Sequence, residues 1–397
     1  TSMGRYLGTA GFGSEIGNFY AMQGLVSLFM PALMGIVADR WIPAQRLLGV
    51  CHTLAGMLML GVFLYTQTDA PSYPSLFALY SLSVAFYMPT LALSNSVAYT
   101  SLDQAGLDLV KSFPPIRVFG TVGFICTMIA VSLLGLEATS GQFAVSAIIS
   151  LVLAVYAQTL PNCPTAPKGQ SKSLVEALGL RAFVLFKQRK MALFFIFSML
   201  LGVSLQITNG FANPFISTFG EIPAYADTFG VKYANILISL SQLSETLCIL
   251  LIPFALRRFG IRRVMLIAMV AWVLRFALLG LGNPGSGVWL FLLSMIVYGV
   301  AFDFFNVSGS LFVDKETDPS IRSSAQGLFM IMTNGIGATL GSLGAQAVIN
   351  HFVHTEHDTT AILAGWSMSW YIFATYAAVV AVLFALLFRY NTATEAK

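Results

Sequence analysis

The stretch MALFFIFSMLLGVSLQITNGFANPFI, residues 191–216, decides the architecture. It runs for 26 residues without a charged side chain. A helix of that length covers the roughly 30 Å of a bilayer's hydrocarbon core. The apolar residues are continuous rather than alternating, which identifies a helix and not a barrel strand. Ten further stretches read the same way: 17–38, 46–66, 75–99, 114–136, 142–160, 232–256, 263–282, 287–312, 322–352 and 361–388. The composition agrees with them, since 57% of the chain is hydrophobic and only 10% is charged. A soluble domain carries about 25% charged residues. A surface this poor in charge is solvated by membrane lipid, and the fold expected is an all-α membrane protein.

Residues 1–11 are too short to span and lack the basic start and cleavage site of a signal peptide. They read as the outer end of a truncated first helix, which would bring the intact protein to twelve spans. With residue 1 outside, seventeen of the 21 Lys and Arg residues fall on one face. That face takes in Arg40, Arg46, Lys187, Arg189, Lys190, Arg257, Arg258, Arg262, Arg263 and Arg389. The other holds Lys232 and Arg5. The positive-inside rule makes the basic face cytoplasmic. The net charge of +4 follows from this topology and is no footprint for nucleic acid. Cys51, Cys126, Cys163 and Cys248 have no paired spacing, which argues against a disulfide framework.

The segment PNCPTAPKGQSKS, residues 161–173, reads as a linker between two bundles. The expected organisation is an N-terminal bundle over 1–160, a cytoplasmic linker with an interfacial helix over 161–190, and a C-terminal bundle over 191–397. The halves echo each other, as in many transporters. VAFYMP (84–89) matches VAFDFF (300–305), PPIR (114–117) matches PSIR (319–322), and GIVADRW (35–41) has a degenerate partner in FALRRFGIRR (254–263).

An ionisable side chain within hydrocarbon costs roughly 2.5–3.5 kcal/mol and is a functional candidate by default. Four qualify: Arg117, Glu245, Arg275 and Asp303. Arg275 stands in AWVLRFALL with no polar neighbour, so a purely structural counter-charge is as good a reading there. The others keep polar company at helical spacing. Arg117, Thr121 and Phe124 share one face. Gln206, Asn209 and Asn213 share another, as do Gln242 and Glu245, and Tyr298, Phe302 and Asn306 with Asp303 adjoining. Such stripes describe a wet, selective cavity. Amides can read a heterocycle's hydrogen-bonding edge, rings can cover its face, and carboxylates can accept from sugar hydroxyls. A nucleoside fits this chemistry, and a sugar fits it equally well.

Two weaker features complete the survey. His351, His354 and His357 have metal-like spacing but sit in a short polar loop. Gly337, Gly341 and Ala345 form a small-residue stripe of the kind that packs helices. No phosphate-binding loop, zinc-hydrolase motif or nucleophile elbow stands in a supporting context. A transporter is therefore expected, not an enzyme, with no bound cofactor, no metal and no obligatory protein partner.

Gly35, Asp39 and Arg40 resemble the G-x-x-x-D-R signature of the major facilitator superfamily, although Arg46 follows at a longer spacing. FMPALMGIVAD (29–39), FPPIRVFGT (113–121), LQITN (205–209), SMIVYG (294–299), AFDFFN (301–306) and SAQG (324–327) resemble bacterial nucleoside permeases of the nucleoside:proton symporter family, with similarity from residue 1 to about 390. The resemblance implies a major facilitator fold of two pseudo-symmetric six-helix bundles in the bacterial inner membrane, importing a uridine-like or purine nucleoside. The proton would be the coupling ion. It also implies that Arg117, Thr121, Phe124, Gln206, Asn209, Gln242, Glu245, Tyr298, Phe302 and Asp303 bind substrate, with Asp303 or Glu245 carrying the proton. A transporter-like nucleoside sensor is the alternative of a different class. The aromatic-rich beginning of the family's first helix is absent here, so contacts from it are not carried over.

The charge asymmetry yields a direct test. A cysteine introduced at Gln170 is expected to react with an impermeant thiol reagent only after permeabilisation; labelling in intact cells would invert the topology.

Overall fold

The computed structural model describes residues 2–68, 70–165, 180–318 and 321–390. The first half contains α1 (Ser2–Thr9), α2 (Ile16–Ser27), α3 (Met30–Arg40), α4 (Ala44–Tyr65), α5 (Tyr73–Gln104), α6 (Leu109–Leu133) and α7 (Gly141–Ala157). A 3-10 turn (Leu180–Lys187) leads into α8 (Arg189–Thr218), α9 (Ala234–Leu281) and α10 (Val288–Glu316). Helix α11 (Arg322–Met330) passes through a π-helical segment (Ile331–Gly337) into α12 (Ala338–Phe352), and α13 (Thr359–Leu387) closes the fold. Eight helical stretches among the described residues are long and apolar enough to cross a membrane, with Val118–Leu133 and Gly141–Ala157 as shorter apolar helices. One of the eight, the 48-residue α9, contains two of the expected spans. All eleven expected spans are thus helical.

Lipid offers backbone groups no water, so a break in a helix needs local compensation. Gly260 breaks α9 with φ of 75°, a conformation that disfavours any side chain. The adjoining Arg262 then serves a different helix. Its Nε and Nη2 donate to the Phe388 and Ala385 carbonyls, both at 2.7 Å, satisfying the frayed end of α13. The sequence echoes occupy corresponding places. Val84 to Pro89 lies on α5 and Val300 to Phe305 on α10, while Asp39 ends α3 and Arg257 ends the first span of α9.

Packing is heaviest in the second half. Phe194 lies against Phe195, Phe305, Phe312 and Phe329, and Phe215 against Phe291, Trp366 and Trp370. The 3-10 turn joins this core through buried Ala182 and Leu185 and through Phe186 on Phe195. Residues 166–179, which take in most of the expected linker and the start of its interfacial helix, lie outside the described residues. The small-residue stripe packs helices, since Gly337 and Gly341 meet the backbone of Met199 and Val203 on α8. His354 packs against Gly13, and His351 lies edge-on to Phe352.

The halves are joined at the face opposite the basic one. Glu137, 3% exposed in the loop after α6, accepts from Arg5 Nη1 at 3.1 Å, Asn213 Nδ2 at 3.3 Å and the Asn235 backbone N–H at 3.2 Å. Ser132 Oγ also donates to it. Arg5 Nη1 reaches the Val231 carbonyl at 3.2 Å, and Asn213 donates to Asn235 Oδ1 at 2.7 Å. Beside this cluster Gln346 accepts from the Gly17 N–H and donates to the Gly13 carbonyl, tying α12 to the start of α2. Thr339 reaches the Ala21 carbonyl and Asn350 the Ser14 carbonyl, further polar joins between the halves.

Removing one partner from a buried charge cluster costs about 3–5 kcal/mol. Glu137→Ala is therefore expected to lower the melting midpoint in detergent by several degrees. The exposed Asp227–Lys232 pair at 2.8 Å is the control. Its hydrogen bond lowers the Asp227 carboxyl and raises the Lys232 amine, but water screens it. Asp227→Ala should leave the midpoint unchanged, and equal effects of the two substitutions would remove Glu137 from its assigned role.

Candidate functional site

The candidate residues of the second half gather where α10 crosses both spans of α9. The crossing is close because residue 299 is glycine: a Cβ there would come within 2.5 Å of the Ser244 carbonyl. Ser244 Oγ donates to the Ile296 carbonyl at the same point. This approach sets Gln242 and Glu245 beside Tyr298 and Asp303. The Gln242 side chain lies beside the Tyr298 hydroxyl, and both carboxylates lie within electrostatic range of it. The Tyr298 and Phe302 rings are stacked, 5.7 Å apart and 4° from parallel.

Charge makes this cluster unusual. Asp303 is 5% exposed, and its Oδ2 has no hydrogen-bond partner among the described residues. Glu245 is half-buried close by. Two carboxylates in one low-dielectric pocket repel each other, and the burial of an unpaired charge is costly. A proton or a donor-rich ligand relieves both costs. Among the described residues Asp303 carries no ion pair, and the Arg117 side chain lies outside them.

Gln206 and Asn209 sit one turn apart on α8, the first buried and the second half-buried. Their neighbour Leu205 lines a narrow cleft with Phe302, Trp272 and Asn306. Asn306 donates to the Phe302 carbonyl of its own helix at 3.0 Å. Asn213, the third member of the α8 stripe, belongs to the Glu137 cluster instead.

Thr121 and Phe124 are on α6 with Arg117. Phe124, 48% exposed, lines a cavity of about 1010 Å³ within the first half, together with His52, Tyr80, Tyr87 and Thr90. The structure therefore unites Gln242, Glu245, Tyr298, Phe302 and Asp303. Phe124 lines the first-half cavity instead and makes no ring contact with Phe302 among the described residues.

Three residues around these features were not singled out from sequence. Glu137 and Asn235 had a faint signal: an acid in the apolar loop LLGLEATSG, on a face with only two bases. Trp272, edge-on to Tyr298 at 6.0 Å, looks like any apolar residue of a span.

The family description "Nucleoside H+ symporter" matches residues 1–393. The Escherichia coli xanthosine permease is 49% identical over 96% of this chain and 88% of its own length. The nucleoside permease NupG of the same organism is 47% identical over the same shares. The crystal structure of nucleoside transporter NupG superposes with a TM-score of 0.88 at 44% identity, covering 98% of this chain and 95% of that one. A peptide transporter of the POT family, 16% identical with a TM-score of 0.65, shares the fold alone. A match that spans the whole helical array, at this identity, makes the chain a transporter of the major facilitator fold and a member of the nucleoside H+ symporter family.

Proposed function

We propose that this chain imports nucleosides with protons across the bacterial inner membrane by alternating access, at a site between its two bundles. The bundles are residues 1–160 and 191–397, linked by 161–190. The observation that carries the reading is the buried Asp303, its Oδ2 without a partner among the described residues, beside the Tyr298–Phe302 stack and Gln242. The relatives named for nucleosides and xanthosine favour a nucleoside over a sugar.

In this reading Gln206, Asn209 and Gln242 bond the base edge. The Gln206 and Asn209 amides have no hydrogen bond within the described protein, so a base would complete them rather than compete with them. Phe302 covers one face of the base, with Tyr298 behind it, and Arg117, Thr121 and Phe124 approach from the first bundle. Glu245 and Asp303 accept from ribose and from the transported proton. The polar joins at the non-basic face support a state closed to the outside, since the basic face is the cytoplasmic one. Coupling requires a proton site whose surroundings differ between inward and outward states. A carboxylate on α10, facing the bundle that moves past it, meets that requirement. Lipid is the protein's solvent, and no protein partner enters the scheme.

Two substitutions test the assignment. Asn209→Leu leaves a base edge unsatisfied, which costs about 1–3 kcal/mol. A loss of roughly 5- to 150-fold in nucleoside affinity is expected, without loss of fold. Unchanged uridine binding would remove Asn209 from the site. Asp303→Asn is expected to fold and to exchange labelled uridine in proteoliposomes while losing accumulation driven by a pH gradient. Wild-type accumulation by that variant would transfer the coupling role to Glu245.

A further inference from the structure

Arg275 is absent from the site just described, yet it lies directly behind it. It is 2% exposed, on the second span of α9. Its Nη1 donates to the Ser294 carbonyl at 2.7 Å, and Ser294 Oγ returns a bond to the Arg275 carbonyl at 3.1 Å. Nη1 also lies 3.5 Å from Ser241 Oγ, and Nε has no partner. Among the described residues no carboxylate pairs with this guanidinium.

What it does have is a ring. Its Cζ lies 4.5 Å from the centroid of Tyr298. A cation so placed attracts the ring's π-face, the more strongly when both are desolvated. Tyr298 is in turn the stacking partner of Phe302 and has the Gln242 side chain beside its hydroxyl. Joining α9 to α10 needs no charge, because the serines already exchange neutral bonds across that contact. A buried arginine without a counter-ion is a costly way to do the same work. The cost is explained if the charge fixes the orientation of the ring.

We propose that Arg275 is a positioning residue for the solute site: it holds the Tyr298 ring, and through it the plane of Phe302 and the amide of Gln242. This rests on the site proposed above. Arg275 touches no solute. Its effect passes wholly through Tyr298, and that separates it from a residue that merely braces two helices.

A double-substitution cycle on the full-length chain reads this directly, with labelled uridine as the probe and the melting midpoint as the folding control. Arg275→Met is expected to weaken uridine binding about 3- to 30-fold. In a Tyr298→Leu background the same change should add less than about twofold, because the ring it acts on is gone. Arg275→Lys, which keeps the charge without the planar fork, should recover part of the affinity. Equal losses in both backgrounds would overturn the inference. So would unchanged binding by Arg275→Met while Gln242→Ala and Phe302→Ala weaken it. Loss of fold in both Arg275 variants, with Tyr298→Leu still folded, would make the arginine a brace and overturn it as well. If Gln242→Ala and Phe302→Ala themselves leave uridine binding intact, the solute site is misassigned and the positioning role falls with it.

Discussion

Hydrocarbon supplies no hydrogen bonds, so each polar group in a span must be satisfied by the protein or bear the cost of being unsatisfied. Most of the architecture follows from that constraint. Backbone groups are closed within helices, and a serine or threonine such as Ser198, Thr208 or Ser342 bonds a carbonyl one turn back. Where α9 breaks and α13 ends, Arg262 supplies donors from outside the helix. Where charge is buried at the helix ends, Glu137 gathers Arg5, Asn213, Asn235 and Ser132 around itself. Against this background the groups left open stand out. Asp303 Oδ2 and the amides of Gln206 and Asn209 have no protein partner among the described residues.

The contrast between the halves has the same origin. The second half, packed with aromatic rings, leaves a cleft of only about 10 Å³ beside Phe302 and opens about 520 Å³ at its basic end, near Lys190 and Arg389. The first half holds an open cavity of about 1010 Å³ lined by α4, α5, α6 and α7 and by the first residues of α1. A densely packed bundle can hold rings and amides in fixed orientation, as Tyr298 is held between Arg275, Trp272 and Phe302. The site residues the structure gathers are on that rigid side. A transporter that reads a planar solute benefits from one ordered wall, because orientation lost on binding would subtract from affinity.

Several polar joins between the halves lie toward the non-basic face. Glu137 and Gln346 act near the ends of helices, where a small rotation separates donors from acceptors and lets water replace them. The middle of the molecule depends on close backbone approaches instead, as at Gly299 and at the Gly337–Gly341 stripe. These cannot be rehydrated, so they persist within a half while the end contacts exchange. That division of labour allows a bundle to move as a unit around a fixed site.

The sequence by itself determined the membrane class, the eleven full spans and the polar stripes. These depend on local quantities: the length of an apolar run, the side of the membrane that holds basic residues, and the 3.6-residue period. It also marked the residues of α9 and α10 that come together, because carboxylates, amides and rings at helical spacing are rarely needed for packing alone. It did not separate Asn213 from Gln206 and Asn209, although the three share a stripe. Asn213 turned out to face Glu137, a residue 76 positions away, and no helical period carries that information. Arg275 was ambiguous for the same reason. Whether a buried guanidinium meets a carboxylate, a carbonyl or a ring depends on which helix crosses it, and only the packing of α10 against α9 chose Ser294 and Tyr298.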